Sequence, residues 1–182
     1  IYIGEIPVDL LSIDEILTKI QYIISQGMQS HQIVTLNSLM YNFTFSDTKL
    51  RQAIQNATLI IPDSAGIVIS SWIFANKKHC TVRRIPGIDL MLRICQIAED
   101  KNYRIFLLGA REEIIPLAVL NLKKIFPKLN IVGFHHGYLH KDDEEKVIEE
   151  INKANPDVAF VGLDIPRQEK WIHRNLNRLK AK

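Results

Sequence analysis

The sequence contains little of what marks several common classes of protein. Its 182 residues include only two cysteines, Cys80 and Cys95, whose spacing fits neither a disulfide framework nor a zinc motif. No apolar run reaches the ~18 residues that a membrane-spanning helix needs, and no signal peptide is apparent. These absences predict a cytoplasmic protein with reduced thiols and no transmembrane helix.

Glycine is also sparse, and the eight glycines form neither G-x-G-x-x-G nor G-x-x-x-x-G-K-[ST]. This disfavours a dinucleotide-dependent oxidoreductase and a P-loop enzyme. No run of basic residues interleaved with aromatics occurs, so we do not expect nucleic acid as a partner. His135 and His136 are adjacent, and adjacent side chains on a strand point to opposite faces, so they are a poor metal pair; no third ligand has a suitable spacing. No metal site is therefore predicted.

Positive charge is concentrated near the end of the chain. The net charge is +3, but residues 165–182 hold six Lys or Arg against one acid, a local net charge of +5. A basic last helix suits a solvated face. It equally suits attraction to a diphosphate or to an anionic membrane surface. The charge pattern leaves both interpretations open.

Segments with strand-like and helix-like patterns alternate along the chain. Ser12 and Glu15 form a capping-box pattern ahead of a helix that Gly27 ends, and a small β element precedes it at 1–8. The alternation predicts one α/β domain over 1–182, with a mainly parallel sheet and helices on its faces. The predicted strands are 31–36, 58–61, 103–108, 130–133 and 157–163, and the later predicted helices include 46–56, 64–75, 87–100, 111–126, 141–154 and 166–179.

Four predicted strands end in polar or glycine-containing turns, at 35–37, 62–66, 108–111 and 162–168. Ligands of parallel α/β sheets bind beyond the carboxyl ends of the strands, so these turns are expected to meet at one edge. Free N–H groups at the helix that begins near Pro166, together with the guanidinium of Arg167, would attract a phosphorylated or nucleotide ligand.

Several residues in these turns have both a structural and a functional interpretation. Asp63 either caps the following helix or acts as a general base at the pocket edge. Thr35 and Asn37 either bind a sugar or form a strand-end Asx turn. Arg84 either clamps a diphosphate or is a solvated arginine. Tyr138 either stacks on a base or covers the end of the sheet.

Six segments, in order along the chain, resemble the motifs of the WecG/TagA/CpsF family of bacterial glycosyltransferases. They are TLN at 35–37, IPDSAGI at 61–67, RIPGIDLM at 84–91, FLLG at 106–109, FPKLNIVGFHHGY at 126–138 and PDVAFVGLDIPRQEKWI at 156–172. The resemblance covers almost the whole chain. It implies a Rossmann-like α/β core.

The resemblance also implies a function. Members of the family transfer N-acetylmannosamine, its uronic acid or a related sugar from a UDP donor to N-acetylglucosamine on a polyprenyl diphosphate. The anomeric configuration inverts, no metal or other cofactor takes part, and the products feed teichoic acid and other cell-surface polysaccharides. The protein is then expected to be peripheral on the inner face of the plasma membrane.

By its motifs, the resemblance assigns roles to individual residues. Asp63 matches the catalytic base, and four residues match the substrate pocket, namely Thr35, Asn37, Arg84 and Gln168. The nucleotide is expected near a second set, namely Gly109, Gly137, Tyr138, Gly162, Asp164 and Arg167.

The sequence departs from the family pattern in four places. Ser64 replaces a glycine, Leu36 replaces a proline, and Asp164 stands where the family has glycine and where a carboxylate would repel a diphosphate. A C-terminal segment with a glycine-rich strand and a membrane-contacting appendage is missing, which implies a truncated core. These departures keep an alternative open, a non-catalytic nucleotide-sugar-binding module.

An unrelated flavodoxin-like domain is a third possibility. Residues 64–75, which include Trp72, are apolar enough for an interface between copies of the chain and equally suited to the core. A homo-oligomer therefore also stays open.

Overall fold

Helices and strands alternate along the chain as the sequence predicts. The structure is a computed structural model and describes residues 1–27, 29–74, 83–139 and 143–182. Its elements are β1 (Tyr2–Ile3), β2 (Ile6–Pro7), α1 (Ile13–Gln26), β3 (Ile33–Leu36), α2 (Ser38–Phe43), α3 (Thr48–Gln55), β4 (Leu59–Pro62), α4 (Ala65–Phe74), α5 (Gly87–Lys101), β5 (Arg104–Gly109), α6 (Ile115–Ile125), β6 (Asn130–His135), α7 (Glu144–Ala154), β7 (Val158–Gly162) and α8 (Arg167–Asn175).

Local capping explains where several helices begin and end. The predicted capping box is present, since the Ser12 side chain accepts from the backbone N–H of Glu15 while the Glu15 carboxylate accepts from that of Ser12. Gly27 ends α1 in the left-handed conformation, at φ 60°. Asp47 caps α3 by accepting from the N–H of Leu50 at 2.9 Å. The sequence therefore specifies these boundaries locally.

Some predicted boundaries differ from those in the structure. The helix predicted from 111 begins at Ile115, so that Pro116 lies in its first turn, where no backbone N–H is needed. The last helix ends at Asn175 and continues as a single 3₁₀ turn, Leu176–Arg178. The sequence predicts a loop at 76–86, between the predicted helices 64–75 and 87–100, and this loop and the predicted start of a helix at 141 fall largely on residues outside the described ranges.

The parallel strands form two sheets. β3 pairs with β4, and β5 lies between β6 and β7 in the order β6-β5-β7. Within the described ranges, β3 and β7 each have one neighbouring strand, and residues of both strands line the same cavity. The sequence predicts parallel pairing correctly, but it does not predict that the parallel strands divide into two sheets.

Helices cover both faces of the strands, as expected for a Rossmann-like α/β fold. In the first sheet, Val34, Leu36 and Ile60 pack toward α2, α3 and α4 while Leu59 and Ile61 pack toward α1 and α5. The second sheet has α5 and α6 on one face and α7 and α8 on the other. Because α5 contributes to a core cluster on each sheet, it connects the two halves of the fold.

Three of the six basic residues near the end of the chain pair with acids that lie within the described ranges. Lys170 Nζ lies 2.7 Å from the carboxylate of Asp47, and Arg174 and Arg178 pair with Glu144 and Glu145. These partners lie on or beside α3 and α7, so the pairs attach α8 to its neighbours and reduce the free positive charge. Across the described ranges, the helices lack the combination of length and apolar composition that crossing a membrane requires.

Candidate functional site

A cavity of about 590 Å³ lies between the two sheets. Its walls include residues at the carboxyl ends of β3, β5 and β7, together with the start of α5. Four of the predicted site residues line it, namely Thr35, Gly109, Gly162 and Gln168. The tertiary structure therefore brings residues that are up to 133 positions apart in the chain to one cavity.

Asp63 stands beside this cavity, directly after β4. Its backbone N–H donates to the carbonyl of Leu36 at 2.9 Å, which fixes the turn against the end of β3. Its carboxylate accepts from the backbone N–H of Gly87, the first residue of α5. A Cβ on Gly87 would lie 3.0 Å from Thr35 Oγ1 and 3.6 Å from Asp63 Oδ2, so all three groups are in close proximity. A larger residue at 87 would crowd the carboxylate.

Ser64, not Asp63, caps helix α4. The Ser64 hydroxyl accepts from the backbone N–H of Ile67 and from that of Ser38 at the start of α2. This is the geometry of an N-cap side chain. Asp63 therefore does not cap α4, and its carboxylate lies next to Thr35 and Gly87, two residues that line the cavity. Ser64, which departs from the family pattern, has this structural role instead.

Burial raises the pKa of the Asp63 carboxyl above its ordinary value, although the N–H of Gly87 and the guanidinium of Arg84 oppose the shift. Arg84 Nε donates to the main-chain oxygen of Asp63 at 2.9 Å and lies 4.0 Å from Oδ1. Its two terminal nitrogens make no hydrogen bond with any residue that the structure describes. Arg84 therefore supports the turn with one nitrogen and has two more for a ligand.

Asn37 has a structural role as the N-cap of α2. Its side-chain oxygen accepts from the N–H of Met40 at 2.9 Å. This is the local side-chain-to-backbone bond that the strand-end alternative predicts. The residue lies close to the Asp63 turn, and its amide nitrogen has no hydrogen-bond partner within the described ranges.

Close packing requires glycine at two positions at the end of the second sheet, Gly109 and Gly137, but not at Gly162. Gly109 has φ +150°, and a Cβ there would lie 2.4 Å from the carbonyl oxygen of Gly162. Gly137 fits between the Leu163 side chain and the backbone of Gly109, and its N–H donates to the carbonyl of Ala110. A Cβ on Gly162 would meet its nearest atom at 3.9 Å. Three strand ends therefore approach each other closely at the cavity.

The other predicted residues near β7 lie at different places. Gln168 lines the cavity and donates to the Glu169 carboxylate, whereas Asp164 and Tyr138 are exposed. Arg167 donates to the carbonyl of Leu139 and lines a second cavity of about 320 Å³ together with residues of α8, among them Lys170 and Trp171. The structure does not bring Arg167 to the main cavity.

His135 and His136 do not follow the predicted alternation. Their ring centroids are 4.3 Å apart, because β6 ends at His135 and the backbone no longer alternates beyond it. His135 Nδ1 lies 2.8 Å from the carbonyl oxygen of His136. Within the described ranges, no cluster of three or more His, Cys, Asp or Glu side chains could hold a metal ion.

Gly87 is the residue of this site that the sequence reasoning missed. It follows Pro86 at the start of α5, and proline beside a first helical residue marks a helix N-terminus. That signal locates the helix start, but it cannot show which carboxylate the N–H reaches. Only the packing of α5 across both sheets brings Gly87 to Asp63.

Glu169 is a buried carboxyl group on α8, just beside the site. It is 1% exposed, its Oε2 has no hydrogen-bond partner, and burial raises its pKa. When folding raises the pKa of a carboxyl group, the protein loses stability as the pH rises from the ordinary pKa toward the raised one. In that pH range the group ionises in the unfolded chain but not in the folded one.

We expect Glu169→Gln to increase the free energy of unfolding at pH 8 by about 1–3 kcal/mol, the usual cost of a buried polar group without a partner. The gain should shrink toward pH 4. Urea unfolding at several pH values measures it, with Glu149→Gln on the exposed face of α7 as the control. A gain that is independent of pH would contradict the assignment.

The fold and this cavity define a class of protein. A parallel α/β core with a ligand-sized cavity at its strand ends, and with a carboxylate and free arginine donors next to the lining residues, is typical of enzymes that act on phosphorylated or nucleotide-linked substrates. Comparison with known proteins gives the particular family. Residues 1–182 match the Glycosyl transferase WecG/TagA/CpsF family, and the chain belongs to it.

Named relatives agree with this assignment. An N-acetylglucosaminyldiphosphoundecaprenol N-acetyl-beta-D-mannosaminyltransferase of Staphylococcus aureus strain NCTC 8325 is 31% identical over 182 residues, covering 96% of this chain and 70% of the relative. The protein of the same name from strain MRSA252 is 32% identical over 183 residues, with the same coverage. The chain is therefore a glycosyltransferase-family protein of the predicted Rossmann-like class.

Proposed function

We propose that the protein transfers N-acetylmannosamine, or a closely related sugar, from a UDP donor to N-acetylglucosamine on a polyprenyl diphosphate, with inversion and without a metal. The acceptor and the sugar are those in the name of the S. aureus relatives. The product would be an intermediate in the synthesis of a cell-wall polymer. The observation that carries the proposal is the Asp63 carboxylate, which does not cap α4 and lies beside Thr35 and Gly87, two residues that line the cavity.

Asp63 would act as the general base. The acceptor hydroxyl loses its proton to the carboxylate as its oxygen forms a bond to C1 of the donor sugar. The bond between C1 and the diphosphate oxygen breaks in the same step, and the electron pair leaves with UDP. Partial burial supports this role, because a raised pKa makes the carboxylate a stronger base.

Departing UDP carries negative charge that must be stabilised. The unpaired terminal nitrogens of Arg84 are suited to a diphosphate, because a guanidinium presents parallel donors to phosphate oxygens. The nucleotide would lie toward the second sheet, where Gly109, Gly162 and Gln168 line the cavity and Tyr138 is exposed nearby. The sugar would then sit between the two groups, near Thr35.

A direct transfer assay tests the proposal. Purified protein is incubated with UDP-N-acetylmannosamine and a short-chain N-acetylglucosamine-diphosphate lipid, and the lipid-linked disaccharide is followed by mass spectrometry. We expect product, a β linkage by NMR, unchanged turnover with a chelator, and little product from UDP-N-acetylglucosamine. A β product is the inverted one if the donor is α-linked. No product with any UDP-sugar would contradict the proposal.

A non-catalytic sugar-nucleotide binder is the second candidate, since Asp164 adds a carboxylate to the β7–α8 turn. Its side chain is exposed and is not among the residues that line the cavity, so its repulsion of a diphosphate there is reduced by solvent. UDP binding by calorimetry without any disaccharide would favour the binder. Product formation excludes it.

The pH dependence of turnover gives a further prediction about Arg84 and Asp89. If ionised Asp63 is the base, kcat should fall about tenfold per pH unit below its pKa. Arg84 lowers this pKa and Asp89 raises it, so Arg84→Gln should move the acid limb to higher pH and Asp89→Asn to lower pH. If the acid limb of the kcat profile moves in the same direction in both variants, or moves in neither, the group that titrates is not Asp63.

A further inference from the structure

Helix α4 presents an apolar face that the described residues leave exposed. Ile67, Val68 and Ser71 pack inward, whereas Ile69 is 52% exposed, Trp72 47%, Ile73 70% and Phe74 60%. The helix contains no charged residue from Ala65 to Phe74. The sequence could not distinguish core from interface here, and the structure shows that one side of the helix is core while the other is exposed.

This face is continuous with the surroundings of the proposed catalytic carboxylate. Helix α4 begins two residues after Asp63. Two further large apolar side chains are exposed in the first turns of the neighbouring helices, Leu39 after Ser38 and Ile88 after Gly87. Ser38 bonds the cap of α4 and Gly87 bonds Asp63, so both apolar residues flank the same turn. Arg84 adds an exposed cation there.

The composition and size of this face identify what would cover it. Trp72, with Tyr2 exposed on β1 against which α4 packs, is the kind of amphipathic aromatic that membrane-surface proteins place at the headgroup boundary. The four exposed side chains of α4 amount to roughly 500 Å², in the range of functional patches on single proteins. Leu39 and Ile88 bring the area closer to the ~800 Å² per partner of a stable protein interface, so a second copy of the chain is the rival occupant that the test below must exclude.

We infer that the exposed face of α4 docks on the membrane surface, with Ile69, Trp72, Ile73 and Phe74 at the boundary between headgroups and acyl chains. The inference rests on the proposed function, because a lipid-linked acceptor presents its diphosphate at that boundary. Docking through α4 would hold Asp63 and Arg84 at the depth of the acceptor headgroup. This contact differs from the one that a C-terminal appendage would make.

Vesicle binding tests the inference without donor, acceptor or turnover. The protein is mixed with phosphatidylcholine–phosphatidylglycerol vesicles, some carrying brominated acyl chains, and both co-sedimentation and tryptophan quenching are measured. The chain has two tryptophans, and Trp171 is 3% exposed and inaccessible to lipid. We expect brominated lipid to quench emission from Trp72, and Trp72→Phe to abolish the quenching while retaining co-sedimentation.

Paired substitutions make the test specific to α4. Ile69→Ser with Ile73→Ser should weaken vesicle partitioning at least about tenfold, since each loses more than 1 kcal/mol of apolar burial. Leu117→Ser with Leu120→Ser, exposed to a similar degree on α6, should leave it unchanged. The inference would be overturned if both pairs lost vesicle binding equally, or if brominated lipid failed to quench tryptophan emission. It would also be overturned if ultracentrifugation showed a dimer that the α4 pair disrupts. If the unsubstituted protein binds vesicles as expected but shows no transfer activity, that result counts against the proposed function and not against membrane docking.

Discussion

Replacing Asp63 by asparagine is expected to lower kcat by about 10²–10⁴-fold, the usual contribution of a positioned general base. Asparagine keeps the size of the side chain and can still accept from the N–H of Gly87, but it cannot take the proton of the acceptor hydroxyl. The backbone bond from residue 63 to Leu36 does not depend on the side chain. The affinity for UDP, measured by calorimetry, should therefore change little.

Asp89→Asn is the matched control for this prediction. Asp89 is an exposed carboxylate in the first turn of α5, close enough to raise the pKa of Asp63. The same chemical change at this position removes a nearby negative charge without removing the proposed base. Its kcat should stay within a few-fold of the original protein. Comparable losses in the two variants would mean that local charge, rather than proton transfer, explains the effect.

Gly109→Ala should destabilise the protein more than the addition of a single methyl group at any other position. The added Cβ would lie 2.4 Å from the carbonyl oxygen of Gly162, and φ +150° is strained for any residue with a side chain. Both contacting groups are backbone in paired strands, so neither can move alone. We expect a loss of about 3 kcal/mol or more in the free energy of unfolding, measured with urea, or a failure to fold.

Gly162→Ala provides the comparison, because Gly162 is the residue paired with Gly109 on β7. A Cβ at 162 would meet nothing closer than 3.9 Å and its backbone needs no left-handed conformation. Stability should then be unchanged or rise by up to about 1 kcal/mol, because alanine reduces the conformational freedom of the unfolded chain. A similar loss in both variants would contradict the packing argument.

Gly162→Ala also tests the nucleotide half of the cavity. The substitution places a methyl group in a wall to which a ligand is expected to bind. Weaker UDP binding by a variant of unchanged stability would support the nucleotide position. Gly109→Ala is expected to reduce stability, whereas Gly162→Ala is expected to reduce UDP affinity. The two variants therefore distinguish a packing role of glycine from a ligand-binding role, which a glycine motif in a sequence cannot do.

Much of the local structure could be predicted from short stretches of the chain. The capping box at Ser12 and Glu15 and the helix end at Gly27 each depend on residues a few positions apart, and both occur as expected. The alternation of strands and helices follows from apolar spacing in the same way. Boundaries were less accurate where a tertiary contact decides them, as at the end of α8.

The site shows where local reasoning stops. Asp63 and Ser64 are both good N-cap residues, and only the bonds from Ile67 and Ser38 to the Ser64 hydroxyl show which of them is used. Thr35 looked equally suited to a sugar contact or a turn. Its position beside Gly87, 52 residues later, depends on how α5 packs across the two sheets.

The sequence by itself determined the α/β class, the order of the elements, the family and the residue types that could bind a charged sugar nucleotide, because these follow from periodicity, caps and motifs that act over a few residues. Only the tertiary structure decided that the strands form two sheets around a shared cavity, that Arg167 lies outside that cavity, and that one face of α4 is exposed. Those outcomes depend on packing between segments far apart in the chain, where many arrangements satisfy the same local preferences and the burial of apolar surface selects among them.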